Sequence, residues 1–496
     1  MRPTTIHLHT RFAIAPVDPR IFGGFLEHMG RAVYEGVYDP RSRHADANGF
    51  RTDVLEALRR LRFTVMRYPG GNFASGYHWE DGVGPRDRRP LRIEKAWDSQ
   101  EPNHVGTDEF LTLCRTMDWQ PMLSVNLGTG TTDEARAWVE YCNGAAGTPY
   151  GDRRAANGHP EPYGVKLWCL GNEMDGPWQL GHCPAEEYAT RARDAARSMR
   201  RVDPSIETVA CGSSTTVMPT FADWDSRVIE HLDDQADFIS LHRYVGNYTD
   251  NTRDYLAIGK SIDRQIEDIA AVARAVQAKR KSDKCIYLSF DEWNVWYKTQ
   301  TADLSAGGAF PAHLIEEIYN LEDALVVAGF LHSFVRHADC VKVANLAQIV
   351  NVIAPLLTRG DDLLIQSIFY PLEMFARRRH GTALRVAVDG PTYGSLYGEA
   401  TEVDCSAIHD GERLHLFATN RHLDAPASVR VALADRRITR CIDAEVLSGT
   451  EAKAANSFEH PHVVRSVSFD HARIDAGGAE LVIPPLSFVA ATFVLG

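Results

Sequence analysis

Two short apolar runs in the sequence each end on a glutamate. Residues 165–170 lead through Gly-Asn to Glu173, and residues 285–290 lead through Asp to Glu292. Runs of this kind are typical of buried parallel strands, and each would deliver a carboxylate to the carboxyl end of its strand. Two carboxylates that face each other at such an edge are the groups that cleave glycosidic bonds. The spacing therefore predicts acid–base and nucleophilic chemistry on a sugar.

The elements that must position these carboxylates alternate between strand and helix. Apolar runs that could form strands occupy residues 21–26, 63–67, 121–126, 165–170, 207–211, 238–241, 286–290 and 341–344. Helical patterns lie between them. Eight strands that alternate with helices predict an α/β fold of the (β/α)8 TIM-barrel type, whose catalytic groups stand at the carboxyl ends of the strands. Glu173 and Glu292 would then follow the fourth and seventh strands. Long segments at residues 68–103 and 296–313 are expected to wall the pocket.

After about residue 380 the apolar pattern changes to strict alternation. It recurs in residues 384–388, 413–418, 429–433 and 479–483, separated by polar turns. This pattern is typical of an antiparallel, jelly-roll-like β-sandwich. Residues 5–9 alternate in the same way and are expected to add a strand to it. We therefore predict a catalytic barrel over residues 18–378 and a β-sandwich domain built from residues 1–17 together with 379–496.

Composition narrows the possible partners. The net charge is −13 and no basic block occurs, which argues against nucleic acid or an anionic membrane as a partner. No apolar stretch approaches the ~18 residues of a membrane helix. The first residues lack the apolar core of a signal peptide, and the nine cysteines show no close pairing, so we expect a cytoplasmic protein unless a leader has been removed. No zinc-type spacing and no phosphate loop occur, and neither metal nor cofactor is expected.

Seven motifs, in order along the predicted barrel, resemble those of glycoside hydrolase family 51, the α-L-arabinofuranosidases. They are residues 22–28, 66–72, 97 with 101–110, 170–175, 240–244, 291–296 and 345–348. Glutamates after strands four and seven also resemble the larger clan of retaining glycosidases. The resemblance implies that Glu173 is the acid/base and Glu292 the nucleophile.

The same resemblance implies roles for nine further residues. Arg67 and Tyr244 are expected to hold Glu292, and His242 to partner Glu173. A second group is expected to bind the furanose hydroxyls or pack on the sugar; it comprises Glu27, Asn72, Asn172, Gln348, Trp97 and Trp296. Three of these residues also have a structural interpretation: an ion pair for Arg67, a rim histidine for His242 and a core indole for Trp97.

The sequence thus predicts an exo-acting, retaining α-L-arabinofuranosidase that releases terminal arabinofuranosyl residues from arabinan, arabinoxylan or derived oligosaccharides. The resemblance implies a homohexamer. Two alternatives stay open at this point. One is another retaining enzyme of the clan, a β-xylosidase or an endo-β-glucanase; the other is a non-catalytic glycan-binding barrel. A structural role, or a role in assembly, is expected for the sandwich.

Overall fold

The computed structural model describes residues 3–300, 302, 304–449, 451–475 and 477–496. The predicted sandwich segments include residues 1–2, 450 and 476, and the predicted loop 296–313 includes residues 301 and 303; these six positions lie outside the described residues. Within the described part of the chain, no helix combines the length and the apolar character needed to cross a membrane.

Eight parallel strands close into a barrel, which confirms the predicted (β/α)8 fold. They are β1 (Gly23–Phe25), β2 (Val65–Tyr68), β3 (Gln120–Ser124), β4 (Leu167–Leu170), β5 (Glu207–Ala210), β6 (Phe238–Val245), β7 (Tyr287–Val295) and β8 (Val341–Ala347). Strand β8 closes the barrel on β1, with Asn345 opposite Gly23. All eight apolar runs coincide with barrel strands.

Strands β6 and β7 are longer than the apolar runs that predicted them. Their carboxyl halves carry the polar residues His242 and Glu292, which pair with each other in the parallel register. Glu292 therefore lies inside a strand rather than after it. The polar side chains ended the apolar pattern, but the backbone ladder between the two strands continues past them.

The helices pack around the barrel and are set by recognisable local signals. They span Thr52–Leu61, Thr107–Met117, Thr132–Asn143, Pro149–Ala156, Ala185–Val202, Asp223–Leu232, Thr252–Leu256, Gly259–Arg280, Leu321–Arg336 and Phe369–Ala376. Short 3-10 turns occupy Pro19–Ile21, Asn72–Gly76, Trp79–Gly82 and Arg86–Arg88. The hydroxyl of Thr131, for example, accepts a bond from the Glu134 amide at 3.0 Å and so caps its helix.

The second unit consists of two packed sheets. The five-stranded sheet has the order Ala387–Asp389, Thr4–Leu8, Ala427–Leu433, Gly478–Ile483, Ala472–Asp475. The seven-stranded sheet has the order Ala13–Pro16, Thr382–Leu384, Val403–His409, Arg413–Asn420, Ser487–Leu495, Ile438–Ser448, Ser466–Ser468.

Three separate hairpins lie outside the barrel and these two sheets. They pair Arg92–Ile93 with Gln100–Glu101, Leu356–Arg359 with Asp362–Ile365, and Thr392–Ser395 with Gly398–Thr401.

The strand Thr4–Leu8 lies inside the five-stranded sheet. It runs parallel to Ala427–Leu433 and antiparallel to Ala387–Asp389, so the sandwich is not purely antiparallel. This pairing supports our proposal that residues 1–17 and 379–496 form one domain beside a barrel of residues 18–378.

The sandwich is joined to the barrel through two helices. Phe375 of Phe369–Ala376 stacks on Phe417 of the seven-stranded sheet at 3.9 Å between ring centroids. From Leu321–Arg336, the Arg336 guanidinium donates to Asp404 at 2.8 Å, and Arg421 donates to the same carboxylate at 2.5 Å. Because this interface is both apolar and ionic, the two units are held in a fixed relation.

Candidate active site

The two glutamates meet at the carboxyl ends of the barrel strands. Glu173 lies three residues beyond β4, in a turn where its φ is +44° and that of Gly171 is +90°. A non-glycine residue in this region is strained, and such strain is often found at functional sites. Oxygens of Glu173 and Glu292 lie within 4.8 Å of each other. This is close to the ~5–5.5 Å separation of retaining pairs and well below the ~6.5–9.5 Å of inverting pairs.

One imidazole bridges the pair. The Nδ1 atom of His242 lies 2.9 Å from Oε1 of Glu173 and 2.7 Å from Oε2 of Glu292. The sequence assigned His242 to Glu173 alone, whereas the structure shares it between both carboxylates. Burial lowers the pKa of His242, but the surrounding carboxylates outweigh burial and raise that pKa well above its usual value. His242 is therefore an imidazolium between two acids.

The environment of Glu292 keeps this carboxyl group ionised. Burial raises its pKa, but the charge and hydrogen bond of His242, with the charge of Arg67, lower it below the usual range. The Arg67 Nη1 atom lies 3.6 Å from Oε1 of Glu292. A carboxylate that stays charged at neutral pH is available to attack an anomeric carbon.

Asp291 holds both cations in place, and the sequence did not single it out. Its Oδ2 atom lies 3.5 Å from Arg67 Nε, and its Oδ1 atom lies 3.5 Å from His242 Nε2. Asp291 is buried, and although burial raises its pKa, Arg67 and His242 lower that pKa below the usual value. Its position directly before Glu292 is the one signal in the sequence that points to it.

Tyr244 does not make the bond expected of it. Within the described part of the chain its hydroxyl has no hydrogen bond to Glu292, whose Oε2 atom pairs with His242 instead. The Tyr244 ring instead lies edge-on to Trp296, at 5.4 Å between centroids. Tyr244 is thus a wall of the cavity in this structure.

A tryptophan that the sequence did not predict contacts the other carboxylate. The Trp178 Nε1 atom donates to Oε2 of Glu173 at 2.7 Å. Trp178 is 50% exposed and stands on a turn whose sequence shows no regular spacing, so only the structure reveals it. With His242 on Oε1 and Trp178 on Oε2, the Glu173 side chain is oriented from both sides.

Glu27 forms a clamp with its neighbours. Its Oε1 atom accepts from the Phe73 amide at 3.0 Å and from Trp97 Nε1 at 3.2 Å, while its own amide donates to Gln348 Oε1 at 2.8 Å. Burial, with the nearby charge of Glu292, raises the pKa of Glu27 to about 8. At neutral pH Glu27 is therefore a neutral acid with a hydrogen to donate.

A second chain of contacts runs behind the nucleophile. Arg67 Nη2 donates to Asn172 Oδ1 at 2.7 Å, and Asn172 Nδ2 donates to Asn72 Oδ1 at 3.3 Å. A Cβ atom at Gly71 would lie 2.7 Å from Glu292 Oε1, so any larger residue here would displace the carboxylate of the nucleophile.

These side chains surround a cavity of about 760 Å³. Its lining includes Glu27, Asn72, Trp97, Glu173, Tyr244, Glu292, Trp296 and Gln348. Arg67, Asn172 and His242 lie behind this lining. Trp97 and Trp296 come from the two long loops, as the sequence predicted, and both line the cavity. The size falls in the range of about 300–1,000 Å³ that is common for small-molecule sites.

Three donor groups of the site lie close enough together to share a metal ion. Among the described residues, Glu173, His242 and Glu292 form a group whose ligand atoms lie within 4.8 Å of one another. A metal would need the lone pair of His242 Nδ1, which the raised pKa of this imidazole places under a proton.

Most of the chain is similar to known α-L-arabinofuranosidases. Residues 57–257 match the α-L-arabinofuranosidase 1 domain, and residues 291–487 match the α-L-arabinofuranosidase C-terminal domain. The intracellular exo-α-(1→5)-L-arabinofuranosidase 1 of Bacillus subtilis is 44% identical over 469 residues, which cover 94% of each chain. The exo-α-(1→6)-L-arabinofuranosidase of Bifidobacterium longum is 40% identical over 501 residues, covering 97% of this chain and 95% of that one.

A solved structure is similar over the same extent. The structure of a family 51 α-L-arabinofuranosidase from Bifidobacterium longum superimposes with a TM-score of 0.95 at 36% identity, and covers 99% of this chain and 100% of its own. The similarity thus includes the barrel, the sandwich and the segments that carry both glutamates.

Proposed function

The chain belongs to glycoside hydrolase family 51, the α-L-arabinofuranosidases, and from this premise we propose that it is an exo-acting, retaining arabinofuranosidase in which Glu292 is the nucleophile and Glu173 the acid/base. Relatives at 40–44% identity are named arabinofuranosidases. They argue against both alternatives, which are another retaining enzyme of the clan and a non-catalytic glycan-binding barrel.

In the first step Glu292 attacks the anomeric carbon while Glu173 gives its proton to the departing glycosidic oxygen. The sugar–oxygen bond breaks, and an arabinosyl ester of Glu292 forms. Arg67 and His242 keep Glu292 charged until that moment, and Asp291 keeps both cations in place. In the second step Glu173 takes a proton from water, which attacks the same carbon and releases arabinose.

His242 lets the two carboxylates exchange charge without moving. Its Nδ1 atom hydrogen-bonds Oε1 of Glu173 at 2.9 Å and forms an ion pair with Oε2 of Glu292 at 2.7 Å. Before attack the negative charge is on Glu292, and afterwards it is on Glu173, so the stronger hydrogen bond passes from one to the other. The short separation of the carboxylates is the observation that carries the proposal.

The glycone end of the cavity is built by strands β1, β2 and β8. The neutral Glu27 acid and the amides of Asn72 and Gln348 offer donors and acceptors to sugar hydroxyls, and Trp97 supplies an apolar face. These residues surround one terminal arabinofuranosyl unit, which is what exo action requires. Asn172 acts from behind by orienting Asn72.

We also propose the substrate class, the cellular location and the oligomeric state. We propose arabinan, arabinoxylan or their oligosaccharides as substrates, since relatives are named for α-(1→5) and α-(1→6) linkages. A relative named intracellular supports a cytoplasmic location. The homohexamer is carried by family resemblance alone, and sedimentation of the full chain tests it.

Hydrolysis of p-nitrophenyl α-L-arabinofuranoside, followed by proton NMR, tests the mechanism. We expect the α-anomer of arabinose to appear first and the β-anomer only by later mutarotation. The p-nitrophenyl β-D-xyloside and β-D-glucoside serve as controls and should turn over far more slowly. First appearance of the β-anomer would exclude the double displacement, and preference for the xyloside would exclude the assigned sugar.

A further inference from the structure

The same cavity is also lined by residues on the side of the barrel opposite strand β1, which leads to Glu27. Its far part lies at the ends of β5 and β6, where Thr216, Arg243 and Tyr248 line it. Tyr397 also lines this part, and it does not belong to the barrel. It stands at the turn between Thr392–Ser395 and Gly398–Thr401, a hairpin of the sandwich domain. The two domains therefore share one wall of the cavity.

The hairpin is fixed to the barrel by specific contacts. The Leu396 amide donates to Asp254 Oδ1 at 3.0 Å, and the Tyr393 hydroxyl donates to the carbonyl of Arg253 at 3.1 Å. The Arg253 guanidinium lies 4.3 Å from the Tyr393 ring centroid. These contacts, made by the strand before the turn and by the turn itself, hold Tyr397 where it is, so a ligand that packs on it loses little free energy in ordering the loop.

Arg243 has hydrogen-bonding capacity that the protein does not use. Its Nη1 and Nη2 atoms donate to the hydroxyls of Thr216 and Ser261, which leaves one further N–H on each of these atoms for a ligand; its Nε atom is buried without a hydrogen bond. In the described part of the chain no carboxylate lies within 4.0 Å of this guanidinium. Burial lowers the pKa of Arg243. A half-buried cation without an acid is costly to keep, and this one lines a cavity.

We propose that this part of the cavity is a subsite for the sugars of the leaving group beyond the first, which the sandwich domain completes through Tyr397. The inference rests on the proposed function, because the leaving group must depart on the side of Glu173. Arg243 donates to the hydroxyls of a neutral sugar, and the rings of Tyr397 and Tyr248 pack against its C–H face. The preferred substrates are then linear arabino-oligosaccharides rather than single side-chain arabinose units on short acceptors.

The test compares two substrates that differ in their leaving group. We expect Tyr397→Ala to lower the ratio of kcat/KM for a linear arabinotetraose to kcat/KM for p-nitrophenyl α-L-arabinofuranoside by about tenfold, which corresponds to ~1.4 kcal/mol. The aryl leaving group is a single ring, so its own kcat/KM should fall less. Arg243→Gln should lower the same ratio, and Tyr397→Phe should restore it because the packing surface is retained.

Leu396→Ala is the matched control. Leu396 is the neighbouring residue on the same turn, it is 68% exposed, and it does not line the cavity. The ratio of kcat/KM on arabinotetraose to kcat/KM on the aryl arabinofuranoside should be the same in Leu396→Ala as in the wild type. A melting temperature close to that of the wild type in every variant excludes misfolding. An unchanged ratio in Tyr397→Ala, or equal losses on both substrates, would overturn the subsite. Failure of the wild type on the aryl arabinofuranoside would instead overturn the proposed function itself.

Discussion

Replacement of the bridging imidazole should change the pH dependence of the first chemical step. In His242→Asn the cation at 2.7 Å from Glu292 is lost, while Arg67 remains at 3.6 Å without a hydrogen bond to that carboxylate. A neutral amide cannot favour the charged form of Glu292 as an imidazolium does. The pKa of Glu292 should therefore rise, so that a larger share of the enzyme carries a protonated, unreactive nucleophile at slightly acidic pH.

The size of the shift follows from the contact. A hydrogen bond to a charged group contributes about 1.5–3 kcal/mol. At 1.36 kcal/mol per pKa unit, its loss moves the acid limb of the profile upward by about 1–2 units. The direction is fixed by the chemistry, because Glu292 must be ionised to attack, and raising its pKa shifts the onset of activity to higher pH.

The assay is kcat/KM against pH with p-nitrophenyl α-L-arabinofuranoside, since this ratio reports the free enzyme and the aryl group needs little protonation to leave. Trp178→Phe is the control. It removes the donor to Glu173 but leaves the contacts of Glu292 intact, so its acid limb should stay with the wild type. An acid limb of His242→Asn that coincides with the wild type would refute the role given to the imidazole.

Three further predictions follow from the same structure. In Glu173→Ala, azide should restore turnover of the aryl substrate and yield the α-azide, whereas Glu292→Ala should yield the β-azide by one displacement. If NMR shows these products exchanged between the variants, the acid/base and nucleophile assignments are swapped. Between pH 4.5 and 8 wild-type Glu27 keeps its proton only in the folded state, so the free energy of unfolding that it contributes falls as pH rises, by up to about 5 kcal/mol. Calorimetry at several pH values should show that Glu27→Gln escapes this loss, and parallel curves of stability against pH for the variant and the wild type would contradict it. Asp404→Ala leaves the buried guanidinium of Arg421 without an acid, whereas Arg336 keeps Asp263 at 3.0 Å; the loss should cost ~3–5 kcal/mol in denaturant unfolding, which a change below 1 kcal/mol would disprove.

The sequence was sufficient for the barrel because its strands are buried on both faces and therefore appear as continuous apolar runs. It was not sufficient for the ends of β6 and β7, where the strand continues through polar residues such as His242. Glu173 and Glu292 could be predicted because each follows an apolar run. Asp291 and Trp178 could not, since their roles depend on which side chains approach them in space. The contact between Arg67 and Asn172 joins residues 105 positions apart, and no local pattern encodes it.

The position of strand Thr4–Leu8 has a consequence for biosynthesis. Next to it, the Thr10 amide bonds Asp435, 425 positions later. At roughly 5–20 residues per second, a ribosome needs on the order of 20–90 s to supply those positions. Until residues 387–389 are made, the strand has neither of its neighbours, Ala387–Asp389 and Ala427–Leu433, and both of its edges are open to other chains. Barrel closure also waits, because Asn345 bonds Gly24 across 321 positions. The nascent chain can therefore complete neither the five-stranded sheet nor the closed barrel until late in translation.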